Sequence, residues 1–162
     1  MQKHTELNIN NNDNGTTAFH LACWNGHFSI VDMLINNSTM LNLELNVLTS
    51  SGYTGFHLAC ENGHLDTAKI FIENCCALKI EFDTKTNWGG TVFHSACMYG
   101  HYQIGSMIMY YHNLLKIDLN ARLNDGNTAF HMACKNGQLH IANFIIENSR
   151  AFNIDLNSKN KR

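Results

Sequence analysis

An all-α solenoid of stacked helix-turn-helix repeats is the fold this sequence predicts, and three regularities predict it. A seven-residue block recurs four times, at Thr17–Cys23, Thr54–Cys60, Thr91–Cys97 and Thr128–Cys134, which sets His20, His57, His94 and His131 each 37 residues apart. Glycines keep the same register. Gly15, Gly52, Gly89 and Gly126 stand two residues before each block; Gly26, Gly63, Gly100 and Gly137 stand three after its cysteine. Apolar residues at helical spacing then follow in every unit. A period of this length is the mark of a repeat array.

The elements of one unit follow in order. Gly15 suits a turn position that needs a positive φ, and Thr17 is a good N-cap for the helix behind it. Phe19, Ala22 and Cys23 fall at helical spacing, and Gly26 ends that first helix as a C′ residue. A second helix follows with Ile30-Val31 and Leu34-Ile35 on one face. Its equivalents are Ala68, Phe71 and Ile72, then Ile104, Met107 and Ile108, then Ile141, Phe144, Ile145 and Ile146. Each helix pair is too short to bury its own apolar face, so neighbouring units must stack into a continuous core.

The pattern Thr-x-Phe-His-x-Ala, then Gly-His, then an Ile-Val-x-x-Leu helix, resembles the ankyrin repeat with its T-P-L-H-x-A signature. The resemblance covers residues 5–157. Three features depart from the family. The proline slot holds Ala18, Gly55, Val92 or Ala129; phenylalanine replaces leucine; and the period is 37 rather than the usual 33. The extra residues fall after the second helix, around 36–43, and predict a longer second helix or connector. The units read as one domain, 1–162: repeats at 5–41, 42–78, 79–115 and 116–152, with 153–162 starting a fifth. Leu7-Asn8-Ile9-Asn10 looks like the linker that recurs as Leu115–Asn120 and Phe152–Asn157. The apolar last helix reads as uncapped, which suggests a segment of a longer array.

Composition bounds the function. Hydrophobic residues make up 44 % of the 162 and charged ones 15 %, enough for a core and too little charge for a disordered chain. No apolar run is long enough to span a bilayer, and the first residues lack the apolar stretch of a signal peptide. The net charge of −2 excludes a global basic field for nucleic acid. It is uneven: residues 1–84 carry nine acids against three bases, residues 85–162 four against eight. Such a charge gradient can orient a charged partner.

Histidine and cysteine invite a metal or thiolate reading that repeat spacing opposes. Four of the ten histidines occupy the block, and His27, His64 and His101 the Gly-His slot. Repeats distribute these residues in parallel columns, whereas zinc needs four converging ligands. The resemblance implies that the block histidine bonds in the inter-repeat turn network. Cys23, Cys60, Cys97 and Cys134 read as a column of small, buried, reduced thiols, and Cys75-Cys76 as a vicinal pair with one member exposed. Free thiols predict a reducing compartment, cytoplasmic or nuclear. With no phosphate loop, nucleophile elbow or recurring carboxylate pair, no enzyme, cofactor or metal is expected.

The resemblance implies a non-catalytic scaffold that binds a partner protein or peptide in a concave face of hairpin tips and first helices. Positions that vary while the frame stays fixed flank the hairpin glycine, such as Asn11 and Asp13, or precede the helix-ending glycine. The expected partner-binding residues are Tyr53, Trp88, Met98 and Tyr99, with Trp24 and Glu61 on the acidic side and Arg122 and Lys135 on the basic side. Exposed aromatics of this kind are common interface anchors. Asn25, Asn62 and Asn136 recur before glycine and read as structural. Asn46, Asn120 and Asn157, each following an acidic and an apolar residue, fit the family's pattern for asparagine hydroxylation. A second reading is an architectural or self-associating segment of a larger array, as in a channel or cytoskeletal linker. The chain is then a monomer or a weak end-to-end self-associator, with neither nucleic-acid binding nor membrane insertion.

Overall fold

A computed structural model describes residues 14–161. The linker at Leu7–Asn10 and the hairpin positions Asn11 and Asp13 lie outside them. The described residues hold ten helices and fall into two compact units divided between Glu81 and Phe82. The first unit contains α1 (Ala18–Trp24), α2 (Phe28–Asn36), α3 (Ser38–Leu41), α4 (Gly55–Glu61), α5 (Leu65–Glu73) and α6 (Cys75–Leu78). The second contains α7 (Val92–Tyr99), α8 (Tyr102–Leu115), α9 (Ala129–Lys135) and α10 (Leu139–Asn148). In each, first helix packs on first helix, α1 on α4 and α7 on α9, and second on second, α2 on α5 and α8 on α10. That is the stacked all-α repeat solenoid in both units.

Threonine and histidine start every first helix. In α1 the His20 amide donates to Thr17 Oγ1 at 3.3 Å, while the Thr17 amide donates to His20 Nδ1 at 3.2 Å. These are the two arms of a capping box, with histidine standing where glutamate is usual. Because Nδ1 accepts, the proton sits on Nε2, which donates to the carbonyl of Val47 in the next repeat at 3.0 Å. His94 repeats the arrangement, accepting at Nδ1 from the Thr91 amide and donating from Nε2 to Asn127 O. One neutral ring therefore caps its own helix and holds the neighbouring turn.

Asparagine decides where helices end. Asn25, Asn62 and Asn136 turn their amides back onto the carbonyls of Leu21, Leu58 and Met132 at 2.8–2.9 Å. The third repeat has Tyr99 there, and α7 runs one residue further, to a left-handed Gly100. The added residues after the second helix behave alike. Asn37 and Asn74 bond back to Met33 and Ile70 and break the helix into α2/α3 and α5/α6. Tyr111 holds the equivalent slot in the third repeat, offers no such bond, and leaves α8 continuous for 14 residues. Asn42, Lys79, Lys116 and Asn153 then close each connector in the left-handed region.

The core follows the predicted stripe with four departures, of which Met107 and Phe144 are half-buried. Val31, Leu34 and Ile35 are buried, as are Phe71, Ile104, Ile108, Ile141 and Ile145. Ile30 and Ile146 are half-exposed, being one residue off the buried i, i+3, i+4 stripe. Three of the four phenylalanines in place of leucine, Phe19, Phe56 and Phe93, fill the interior, with Phe19 and Phe56 both against Phe71 at 5.8 and 5.3 Å, while Phe130 is half-buried.

Glycine at the end of a first helix meets two demands at once. Gly26 has φ +66°, and a Cβ on it would collide with the His64 ring of the next repeat. Gly137 has a similar φ with open space around it. Gly26→Ala should therefore destabilise by roughly 1–3 kcal/mol more than Gly137→Ala, which carries only the left-handed strain of about 1–2 kcal/mol. Urea unfolding of the two variants compares them directly.

Acid should unfold the protein through the same histidines. Burial pushes the His94 pKa down to about 4, against the bonds to Asn127 and Ala121, and lowers that of His20. A depressed folded-state value means the native state demands the neutral ring. The stabilisation is complete above the unfolded imidazole value of about 6.5, and is lost as pH falls toward 4, about 3 kcal/mol for His94. Stability should fall between pH 6.5 and 5, and His94→Gln should be weaker at pH 7.5 yet flatter across that window. An unchanged slope in the variant would remove His94 as the cause.

Candidate functional site

The hairpins present the variable residues on a common scaffold. Each is a five-residue turn: Thr49 pairs with Tyr53, Thr86 with Gly90 and Leu123 with Asn127, all through amide-to-carbonyl bonds of 2.8–2.9 Å. Within each unit successive hairpins are joined in register. Ser50 donates to Asn14 O at 2.9 Å, Asn124 to Trp88 O at 2.8 Å and Lys161 to Asp125 O at 3.1 Å. The tips are thus fixed by backbone bonds, which leaves their side chains to vary.

In the first unit three of the expected partner-binding residues share one groove. Trp24, Tyr53 and Glu61 line a concave space of about 410 Å³ formed by the two hairpins and by α1 and α4. Trp24 closes α1 and is 47 % exposed. Tyr53 is half-buried, its ring edge-on to His57 at 5.9 Å. Glu61, the equivalent of Trp24 in the next repeat, is half-buried and is the acidic member of the lining. Leu21 and Leu58 form the apolar floor. Sequence reasoning passed over them, although both occupy the variable slot after histidine in the Thr-x-Phe-His-x-Ala block.

In the second unit the expected residues separate into two places. Trp88 sits on a hairpin tip, 60 % exposed, with its carbonyl engaged by Asn124. Met98 and Tyr99 lie at the far end of α7. Tyr99 is 45 % exposed and stacks on His101 at 6.4 Å, while Met98 is half-buried. Arg122 is exposed and lies along the hairpins, donating to Lys159 O at 2.6 Å and to Ser158 Oγ at 3.0 Å. Lys135 is exposed in the last turn of α9.

The Gly-His slot has a geometry of its own. His64 starts α5 without capping it, and Nε2 instead donates to Trp24 O of the preceding repeat at 2.8 Å. Gln138 bonds Met98 O in the same manner. These seams fix the backbone of the residues expected to meet a partner.

The three asparagines of the hydroxylation pattern divide. The Asn46 amide bridges Lys79 O and the Glu81 amide at 3.1 and 3.0 Å. Asn120 bridges Asn153 O and the Asp155 amide at 2.9 Å each. Asn157 is exposed, and its own amide N–H donates to the Asp155 carboxylate, which lies below the usual carboxylate range through bonds from Ser158 and Asn157.

Among the described residues no three His, Cys, Asp or Glu side chains converge as metal ligands, and no helix is long and apolar enough to cross a membrane. All six cysteines are free thiols. Cys23, Cys60 and Cys97 are buried, and burial raises their pKa values strongly. Cys134 departs from the expected column and is exposed. The helix of the following repeat covers Cys23, whereas no first helix follows α9 among the described residues. Cys75 is half-buried and Cys76 exposed, their sulfurs 3.5 Å apart. A thiol reagent should therefore label Cys75, Cys76 and Cys134 in the native protein, and reach the other three only on unfolding; peptide mapping separates the two sets.

A family model described as ankyrin repeats (3 copies) matches residues 1–81, 39–120 and 75–160. None of the curated proteins compared with the chain matches it. Nearly the full sequence is covered, and the helix pairs, hairpins and Thr–His capping boxes follow the same period. The chain belongs to the ankyrin repeat family, whose members are generally non-catalytic modules that bind protein partners.

Proposed function

We propose that the chain is a scaffold that binds an extended or helical peptide segment of a partner protein along the inner faces of its hairpins and first helices. The observation that supports this best is the groove of about 410 Å³ in the first unit, where Trp24, Tyr53 and Glu61 meet over Leu21 and Leu58. Two aromatic anchors beside one carboxylate suit a segment with an apolar side chain and a basic one. Trp88, Met98, Tyr99 and Lys135 extend the footprint in the second unit. Arg122 belongs to it chiefly as a brace for the hairpins. The charge gradient along the sequence favours a partner with the opposite gradient. Binding takes place in a reducing compartment, cytoplasmic or nuclear, where the six thiols stay free.

Hydroxylation at asparagine belongs to the same proposal. Asn46 and Asn120 use both ends of their amides to hold the connectors at Lys79–Glu81 and Asn153–Asp155, so modification there requires local opening. Asn157 should be modified first when the chain is incubated with an asparaginyl hydroxylase, read by the mass shift of its peptide.

Affinity capture from a cell lysate tests the surface. Trp24→Ala/Tyr53→Ala and Trp88→Ala/Tyr99→Ala change exposed or half-buried side chains and should leave thermal unfolding little altered. Partners held by the parent should be lost or weakened at least tenfold with the first pair, and reduced with the second. Retention of the same partners by both variants would move the binding surface off the inner face.

A further inference from the structure

The outer side of the second unit carries a cluster that the interaction surface does not use. Tyr102 opens α8 and Phe144 lies in the middle of α10, their ring centroids 5.4 Å apart and their planes at 87°. Tyr110, two turns along α8, meets the same Phe144 at 6.1 Å and 63°. His140, Asn143, Phe144 and Glu147 recur at i, i+3, i+4 and i+7, one face of α10. With Tyr102 they enclose an open pocket of about 440 Å³. Tyr102 fills a slot that holds Phe28, Leu65 or Leu139 in the other repeats, and Phe144 one that holds Met33, Ile70 or Met107, so only the ring of Tyr110 departs from the repeat frame. Tyr110 stands where the other repeats hold Asn36, Glu73 and Glu147.

Chemistry of the lining selects the occupant. In an edge-to-face pair, the ring that presents its edge keeps both of its faces uncovered by the other, and those faces are electron-rich. Tyr102, which lines the pocket, is 42 % exposed, and Tyr110 beside it is 65 % exposed, so aromatic side chains border solvent here. Glu147 is an exposed carboxylate with no ion pair among the described residues, and the lining beside it holds a histidine, His140, but no lysine or arginine. A neutral apolar ligand would leave that carboxylate unmatched, and an anion would be repelled. A cation with an alkyl shell matches both features.

We propose that this pocket binds an alkylammonium group, seated against Tyr102 and Phe144 and paired with the Glu147 carboxylate. His140 and Asn143 supply the polar rim. The group is either that of a free quaternary amine or the side chain of a lysine presented by another polypeptide. This site lies on α8 and α10 and does not depend on the proposed inner-face function.

NMR titration of the full chain at pH 8 tests it, with choline, capped lysine and 3,3-dimethylbutan-1-ol, the neutral isostere of choline. The two cations should shift resonances of Tyr102, Phe144 and Glu147 with millimolar dissociation constants, and the isostere should bind at least tenfold more weakly. Glu147→Gln should weaken the cations about tenfold, and Tyr102→Leu should do likewise, with thermal unfolding unchanged. Tighter choline identifies the free amine as the occupant; tighter lysine identifies the polypeptide. No shift with either cation, equal binding of the isostere, or full affinity in Glu147→Gln overturns the proposal.

Discussion

A neutral imidazole shared between a helix cap and a neighbouring turn is the interaction on which the rest of each unit depends. Thr17 and His20 could cap α1 by themselves, and hydrophobic burial could hold α1 against α4. Neither would fix where the next hairpin begins. The Nε2 bond to Val47 does that, and it exists only while Nδ1 is occupied as an acceptor from Thr17. Tautomer, cap and stacking register are thereby one choice. Burial of the ring makes the choice costly to reverse, since an unmatched polar atom at that depth loses its hydration with no replacement.

Fixing the frame through backbone and histidine bonds leaves the side chains at hairpin tips and helix ends free to change. In the first unit that freedom produces an acidic, aromatic groove. In the second it produces an exposed tryptophan at one place and a tyrosine–methionine pair at another. The same frame carries both, and fold alone therefore names no partner. The outer face of α8 and α10 shows that departures from the frame are not confined to the inner surface.

Much of this was legible in the sequence because each repeat comments on the others. Thr17, His20 and Gly26 take their roles from recurrence, and the structure places each where the spacing put it. Asn25 and its equivalents were readable for the same reason. Less legible was anything that depends on which residue interrupts a pattern. The period showed extra residues after the second helix. That Asn37 breaks the helix and Tyr111 does not follows from a side-chain bond to the i−4 carbonyl, which spacing cannot reveal. Ile30 and Ile146 looked apolar-facing because a stripe read from sequence is broader than the face that is covered. Arg122 carried a charge that suggested a partner, whereas its guanidinium reaches the backbone of the following hairpin. Of the Tyr102, Tyr110 and Phe144 cluster only Phe144 was read, as part of the apolar stripe, since the ring contacts join two different helices.

Gly26 and His64 belong to different repeats, yet neither makes sense without the other: one gives up its side chain so that the other's ring can lie against its backbone. Gly100 and Gln138 form a second such couple with a different partner residue. What is inherited as a working part is thus the seam rather than the repeat. Shuffling whole repeats between arrays keeps every helix intact and still mismatches these couples. Cutting within a repeat, so that each junction travels whole, preserves them.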